Sequence, residues 1–187
     1  MSNSSVELHK QSARWRPVRK QRLWARLFFL AALFLLVSVA HAIEKSPVAD
    51  KILVVKSKHT MTLMSHGQIL KTYKVALGTV PVGAKQKHGD HKTPEGDYVI
   101  SGRNPHSQFH LSLRISYPNA ADRQRAHKLG VSPGGDIMIH GLMAQDAWIG
   151  ATQSQHDWTD GCIAVSNSEM DEIWRLVPTG TRVEIRP

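Results

Sequence analysis

From Lys51 to Pro187 apolar and polar positions alternate in short bursts separated by turn residues, the pattern of a β-rich fold. Ile52 to Val55 is a short apolar strand. Thr60-Met61-Thr62-Leu63-Met64 alternates with period two, Ser65-His66-Gly67-Gln68 turns, and Ile69 to Leu77 runs back, which predicts a hairpin. Asp97 to Ser101 and Leu111 to Ser116 predict two more strands, joined by Gly102 to Ser107. Ile137 to Ile139 and Ile163 to Val165 are compact apolar runs that suit buried strands, and Thr181 to Ile185 closes the set. Two segments break this rhythm. Asn119 can cap a helix from Ala120 to Leu129, with Gly130 at its end. Ser166-x-x-Glu169 is a capping box that opens a helix reaching Leu176 or Val177. Met170, Ile173, Trp174 and Val177 share one face of it, which assigns Trp174 to the core. About eight strands and two helices predict a mainly β fold, closed or nearly closed, with the helices at its periphery. Gly78 to Gly96, rich in Gly, Lys, His and Pro, is long enough to be a functional or mobile loop.

The N-terminal part follows another pattern. Lys10, Arg14, Arg16, Arg19, Lys20, Arg22 and Arg26 precede an apolar run from Leu27 to Ala40, and Ala40-His41-Ala42 follows as a small-x-small site. This order predicts a secretory signal peptide over residues 1–42, cut after Ala42. An uncleaved signal anchor is the alternative, although the run is short of the roughly twenty residues that a spanning helix prefers. Residues 43–50 form a polar linker, and the domain is expected to start at Lys51. Of the formal net charge of +9, residues 1–42 carry +6, so the basic balance belongs to the leader and gives no support to a nucleic-acid partner. The expected location is the periplasm or cell envelope, with membrane contact only through the signal segment.

Cys162 is the only cysteine, so no disulfide forms within the chain. A domain of this size can bury its core without one. The strand Ile137–Ile139 delivers His140 to its end, and Gly161 permits a tight turn immediately before Cys162. A histidine at one strand end and a cysteine at the start of another can meet, and the imidazole can then take the thiol proton. Each residue also has an ordinary alternative. Free cysteine often merely packs, and a histidine at a strand end is often a hydrogen-bonded structural residue.

Ile139-His140-Gly141, a spacer, then Thr159-Asp160-Gly161-Cys162-Ile163 resembles the signature of the L,D-transpeptidase (YkuD-type) catalytic domain family. Leu77-Gly78, Pro81-Val82-Gly83-Ala84-Lys85 and Lys92-Thr93-Pro94-Glu95-Gly96-Asp97-Tyr98 fit as well. Asp160 stands where many members have His, Ala164 where many have Arg, and Asn167 where many have Asn. The branch with Thr-Asp-Gly-Cys-Ile-Ala is the nearest in pattern. The resemblance covers Lys51 to Pro187 and implies a mixed-sheet, barrel- or sandwich-like β fold with the cysteine beside a groove. It implies Cys162 as a nucleophile that forms a thioester with peptidoglycan stem peptides. It also implies His140 as proton acceptor and donor, with the Gly141 carbonyl orienting it. Gly161 leaves backbone N–H groups free to hold an oxyanion. Thr159 is expected to support the turn through its hydroxyl, with Asp160 toward solvent or the acceptor, and both are counted among the substrate-binding residues.

Further residues complete the candidate set. Trp148 and Trp158, in the loop between the two motif pieces, can wall a substrate groove. Arg103 and Arg114 can meet a substrate carboxylate or serve as ordinary surface residues. His88, Asp90, His91, His106, His110 and His156 match no closed zinc pattern, so no metal and no cofactor are expected. Asp90, Glu95 and Asp97 adjoin Thr-Pro and Gly, which favours loop duty over paired-carboxylate chemistry. A cysteine acyl-transfer enzyme of the cell wall, expected as a monomer, is the leading reading. A hydrolase or amidase of the same family and a non-catalytic peptidoglycan-binding module are the alternatives.

Overall fold

The computed structural model describes residues 47–187. The expected leader, and residues 43–46 of the expected linker, lie outside the described residues. The rest of that linker is not a linker. Ala49 is buried, donates its N–H to Leu176 O at 2.8 Å, and accepts from the Thr181 hydroxyl. The ordered domain therefore begins ahead of Lys51.

Eight strands and two α-helices follow in chain order. They are β1 (Lys51–Val55), β2 (Thr60–Ser65), β3 (Gln68–Lys74), β4 (Gly96–Ser107), β5 (His110–Ile115), α1 (Ala120–Lys128), β6 (Met138–His140), β7 (Ile163–Ala164), α2 (Asn167–Leu176) and β8 (Arg182–Arg186). Short 3-10 turns lie at Lys56–Lys58 and within Ala144–Gln155, the latter kinked at Gly150. All strands join one mixed sheet in the order β3-β2-β1-β8-β4-β5-β6-β7, with β1–β8 and β6–β7 parallel and the other pairs antiparallel. Beyond β3 the chain reaches the far edge of the sheet, where Ala76 bridges Ala164 and Gly78 bridges Thr159. The sheet thereby curls into the nearly closed form that the strand count predicts.

The alternating positions do what their period requires. Ile52 and Val54 of β1, Met61 and Leu63 of β2, Leu113 and Ile115 of β5 and Val183 and Ile185 of β8 point into one core. Helix α2 lays Met170 and Ile173 onto this core, and both helices carry complete capping boxes, at Asn119/Asp122 and Ser166/Glu169. Trp174 is only partly buried, at the edge of the core, because its ring also carries the Arg103 guanidinium at 4.0 Å.

β4 departs from expectation. It continues through Gly102 to Ser107, where a connection was expected, and reaches the turn into β5. Register shifts interrupt its pairing between Ile100 and Gly102 and between Asn104 and Ser107. Pro105 falls inside the second shift, where a missing N–H costs no ladder hydrogen bond.

Candidate active site

The parity of β4, β5 and β6 decides which side chains meet. Asn104, Ser112, His140 and Ala164 form one cross-strand row, and Gly102, Arg114 and Met138 form the next. Between them lie Leu113, Ile139 and Ile163, which face the core. His140 thus emerges on the side opposite the core, at the floor of a cavity of about 560 Å³. Cys162, Trp158, Thr159, Asp160 and Asp136 line the same cavity.

His140 is held in one orientation. Its Nδ1 lies 2.7 Å from the Gly141 carbonyl oxygen. A carbonyl can only accept, so Nδ1 carries the proton and Nε2 presents a lone pair. Burial lowers the imidazole below its ordinary pKa, and the Gly141 bond offsets part of that. The Gly141 turn is fixed in turn by Asn167, whose Oδ1 accepts from Leu142 N at 2.6 Å. A Cβ on Gly141 would stand 2.5 Å from that oxygen, so a larger residue there would displace the Asn167 amide. Phe109 packs against the imidazole with ring centroids 4.6 Å apart, and Trp158 meets it edge-on at 5.8 Å. Trp158 donates through Nε1 to Gln153 Oε1, and the buried Gln153 donates to Ala164 O.

The Cys162 turn is built from side-chain bonds. Thr159 Oγ1 donates to Cys162 O at 2.7 Å and accepts from Gly161 N at 3.1 Å. The hydroxyl of Thr159 therefore clamps the turn. The same bond corrects another expectation. The Gly161 N–H is already occupied and is not free to hold an oxyanion, whereas the Cys162 N–H has no acceptor among the described residues. Gly161 has φ 122°, and a Cβ there would lie 2.5 Å from Lys92 O. Its second reason for being glycine is the close approach of that loop backbone.

The thiol donates to Asp136 O at 3.6 Å. Burial pushes it above its ordinary pKa; a backbone hydrogen bond from Met138 opposes this, Asp160 and Asp136 add to it, and Lys85 acts downward. Among the described residues no hydrogen bond joins the thiol to the imidazole. Burial therefore disfavours the thiolate at Cys162 and the imidazolium at His140 alike.

Other candidates are placed elsewhere. Arg103 pairs in register with Leu113, on the opposite face of β4, and spends its guanidinium on Val177 O and Trp174 O at the end of α2. It does not reach the cavity. Trp148 stands 84% exposed in the 3-10 stretch and does not line the cavity either. Asp160 lies at the rim and binds His91 Nδ1 at 2.7 Å. Among the described residues no three His, Cys, Asp or Glu side chains gather where a metal ion could bind. Asp90 and Glu95 neutralise the buried Lys85 and Lys56. The sequence reading missed Ser112, Phe109 and Gln153. Their placement depends on cross-strand register, although the alternation of β5 already put Ser112 opposite its core residues.

Comparison with known proteins agrees with this geometry. Residues 49–185 match the family model described as YkuD, the L,D-transpeptidase catalytic domain. The Escherichia coli K12 protein named "Putative L,D-transpeptidase YafK" is 32% identical over 122 residues, 64% of this chain and 42% of that protein. YqjB of Bacillus subtilis is 24% identical over 84% of both chains. The chain thus spans less than half of YafK. Among solved structures, the helical cell shape determining protein Pgp2 of Campylobacter jejuni superposes with TM-score 0.57 at 24% identity, over 75% of this chain and 48% of that one. Bd1075 of Bdellovibrio bacteriovorus gives 0.51 at 22% identity, over 76% and 49%.

Proposed function

The chain belongs to the YkuD family of L,D-transpeptidase catalytic domains, and from that premise we propose that it is an exported acyl-transfer enzyme of cell-wall peptide stems, with Cys162 as nucleophile and His140 as base. One observation carries this reading. The lone cysteine and a histidine with a fixed tautomer line one open cavity.

The thiol proton passes to His140 Nε2 as Sγ attacks the carbonyl of the L-centre that precedes a terminal D-residue. The Cys162 N–H faces the developing oxyanion, an effect worth about 3 kcal/mol per donor. Collapse breaks the peptide bond, and the imidazolium returns its proton to the departing D-residue amine. An acceptor amine then gives a proton to His140 and attacks the thioester, and Cys162 recovers its thiol as the new amide forms. Attack by water instead yields the shortened stem as a free acid.

Incubation of the full-length chain with peptidoglycan fragments, read by mass spectrometry of protein and products, tests this. A thioester at Cys162 that is absent from Cys162→Ala, together with cross-linked or exchanged stems, is the expected result. Free acid as the sole product would make the enzyme a hydrolase. Intact stems with unmodified Cys162 would leave only a binding role. His140→Ala should lower acylation with little change in folding stability, and an equal rate would remove His140 from the chemistry.

The basic–apolar–Ala-x-Ala order of residues 1–42 supports export to the periplasm or cell envelope. N-terminal sequencing of the exported protein should begin at Ile43. Retention of Leu27 to Ala40 would instead make the enzyme membrane-anchored.

A further inference from the structure

The stretch from Ala144 to Gln155 is exposed or half-buried throughout, except at Gln153. The one position it buries is thus polar, and both ends of that amide are used. Nε2 donates to Ala164 O and Oε1 accepts from Trp158 Nε1, each at 3.2 Å. An indole N–H can only donate and a carbonyl can only accept, so the two bonds together dictate which way the amide points. Ala164 stands opposite His140 in the register of β6 and β7. The amide therefore ties the indole to the strand beside the base. The main chain around Trp158 is already held without it. Asp157 Oδ1 accepts from Leu77 N at 2.7 Å, and Thr159 N donates to Leu77 O at 3.1 Å. What those bonds leave free is rotation of the indole about its own side-chain torsions. Trp158 is 38% exposed, and among the described residues Gln153 makes its only side-chain hydrogen bond.

Resting on the transpeptidase reading, we infer that Gln153 is a positioning residue for His140, acting through the Trp158 ring. The Gly141 carbonyl fixes one ring nitrogen of His140, but a single bond leaves the imidazole free to tilt about it. Phe109 and Trp158 restrict that tilt and keep water from the ring, which is 5% exposed. An indole released by Gln153 swings toward solvent, and the imidazole then loses one of its two aromatic walls. The titratable groups that share its cavity are Cys162, His106, Asp136 and Asp160; Asp136 pairs with Arg114 and Asp160 with His91. His110, beside Phe109, pairs with Asp171 of α2. Burial outweighs the Gly141 bond at His140, so hydration of the ring, and no new charge, is what a displaced indole brings. Anchoring the 3-10 stretch to the sheet needs only the bond to Ala164 O, which leaves the bond to the indole as the one that serves the base.

The test times thioester formation at Cys162 of the full-length chain by intact mass, at saturating tetrapeptide stem and across pH. Gln153→Met keeps the side chain's length and removes both bonds. It should slow the maximal rate about tenfold and move the acid limb of the profile upward, toward the ordinary histidine value of about 6.5, with little change in the urea midpoint. Trp158→Phe keeps a ring beside His140 and the bond to Ala164 O, and loses only the indole N–H. Gln153→Met added to Trp158→Phe should slow the reaction by less than about twofold further, because the route through the indole is already cut. An acid limb that Gln153→Met leaves in place, or a tenfold loss that recurs in full in the Trp158→Phe background, would overturn the positioning role while leaving the transpeptidase reading standing. A wild-type chain that iodoacetamide alkylates but that no stem acylates would overturn both.

Discussion

The two walls of the cavity are held by different physics. On the strand wall, His140 rides a ladder of backbone hydrogen bonds between β5, β6 and β7, and its neighbours face the core by simple alternation. On the loop wall, Cys162 sits in a turn with scarcely any sheet behind it. That turn is shaped by Thr159, by Gly161 against Lys92 O, and by a loop pinned on two buried lysines. Lys56 Nζ donates to Gly83 O, Thr93 O and Glu95 Oε1, while Lys85 meets Asp90 at 2.7 Å. Asp90 also accepts from the N–H groups of Gln86, Lys87 and Lys92. The base is thus placed by redundant, collective bonding, and the nucleophile by a few individual contacts. Single substitutions should consequently do more damage on the loop wall.

The largest expected effect is at Gly161. Gly161→Ala forces a Cβ into Lys92 O at a backbone angle that L-residues avoid, and should cost about 3 kcal/mol in unfolding together with most acylation. Gly102→Ala is the matched control on the strand wall. Its Cβ would meet Arg114 Cβ at an ordinary 3.9 Å, and stability should move by less than about 0.5 kcal/mol. Denaturant midpoints for the two variants decide the matter, and equal losses would erase the contrast between the walls.

Next comes the loop's own anchor. Burial alone would raise the Asp90 carboxyl, but hydrogen bonds from Lys85, Gln86, Lys87 and Lys92 outweigh it and hold the carboxyl down at about 2. A folded pKa below the unfolded value of about 3.9 stabilises the fold above that pH, and the contribution is lost as pH falls toward 2. Asp90→Asn should therefore cost about 2 kcal/mol at neutral pH and flatten the acid limb of the stability curve. An unchanged acid limb in urea titrations would show that Asp90 is not the group responsible.

Asn167 offers a milder break on the His140 side. Asn167→Ala frees the Gly141 turn, and thioester formation should slow about tenfold with a stability loss near 1 kcal/mol. A shifted acid limb of the pH–rate profile with a little-changed unfolding midpoint would show that the imidazole orientation, rather than folding, has changed.

The smallest effect is a displacement in pH. Alkylation of Cys162 by iodoacetamide should rise only above the ordinary thiol range, because burial and the nearby carboxylates disfavour the thiolate. The acid limb of acylation should fall below the usual histidine value of about 6.5, since burial favours neutral His140. An alkylation midpoint near neutrality would indicate a preformed thiolate–imidazolium pair instead.

The same contrast explains what the sequence made legible. Short apolar runs and one alternating hairpin located most strands, and the caps at Asn119 and Ser166 located both helices, because those signals are local. His140 and Cys162 stood out through their strand ends and flanking glycines. Arg103 was misplaced because Gly102 to Ser107 reads as a connection, which has no face; β4 runs through it, and its parity turns Arg103 away from the cavity. Gly161 was read as a free donor because a Thr hydroxyl two residues earlier gives no sign of where it will turn. Lys56 and Lys85 look solvated in any linear pattern, since their burial depends on carbonyls and carboxylates brought in by the fold.

β8 has a consequence for the order of assembly. It lies between β1 and β4, so the sheet's central seam is closed by the last strand of the domain. Lys51 must find Arg182, a pairing across almost the full length of the folded unit. Such distant contacts form late and slowly, since loop closure precedes any gain from them. Before β8 docks, β1–β3 and β4–β7 are two separate fragments, and Ala76 has no fixed β7 to bridge. The Cys162 cavity therefore takes its final form only after the docking of a strand that lines none of it.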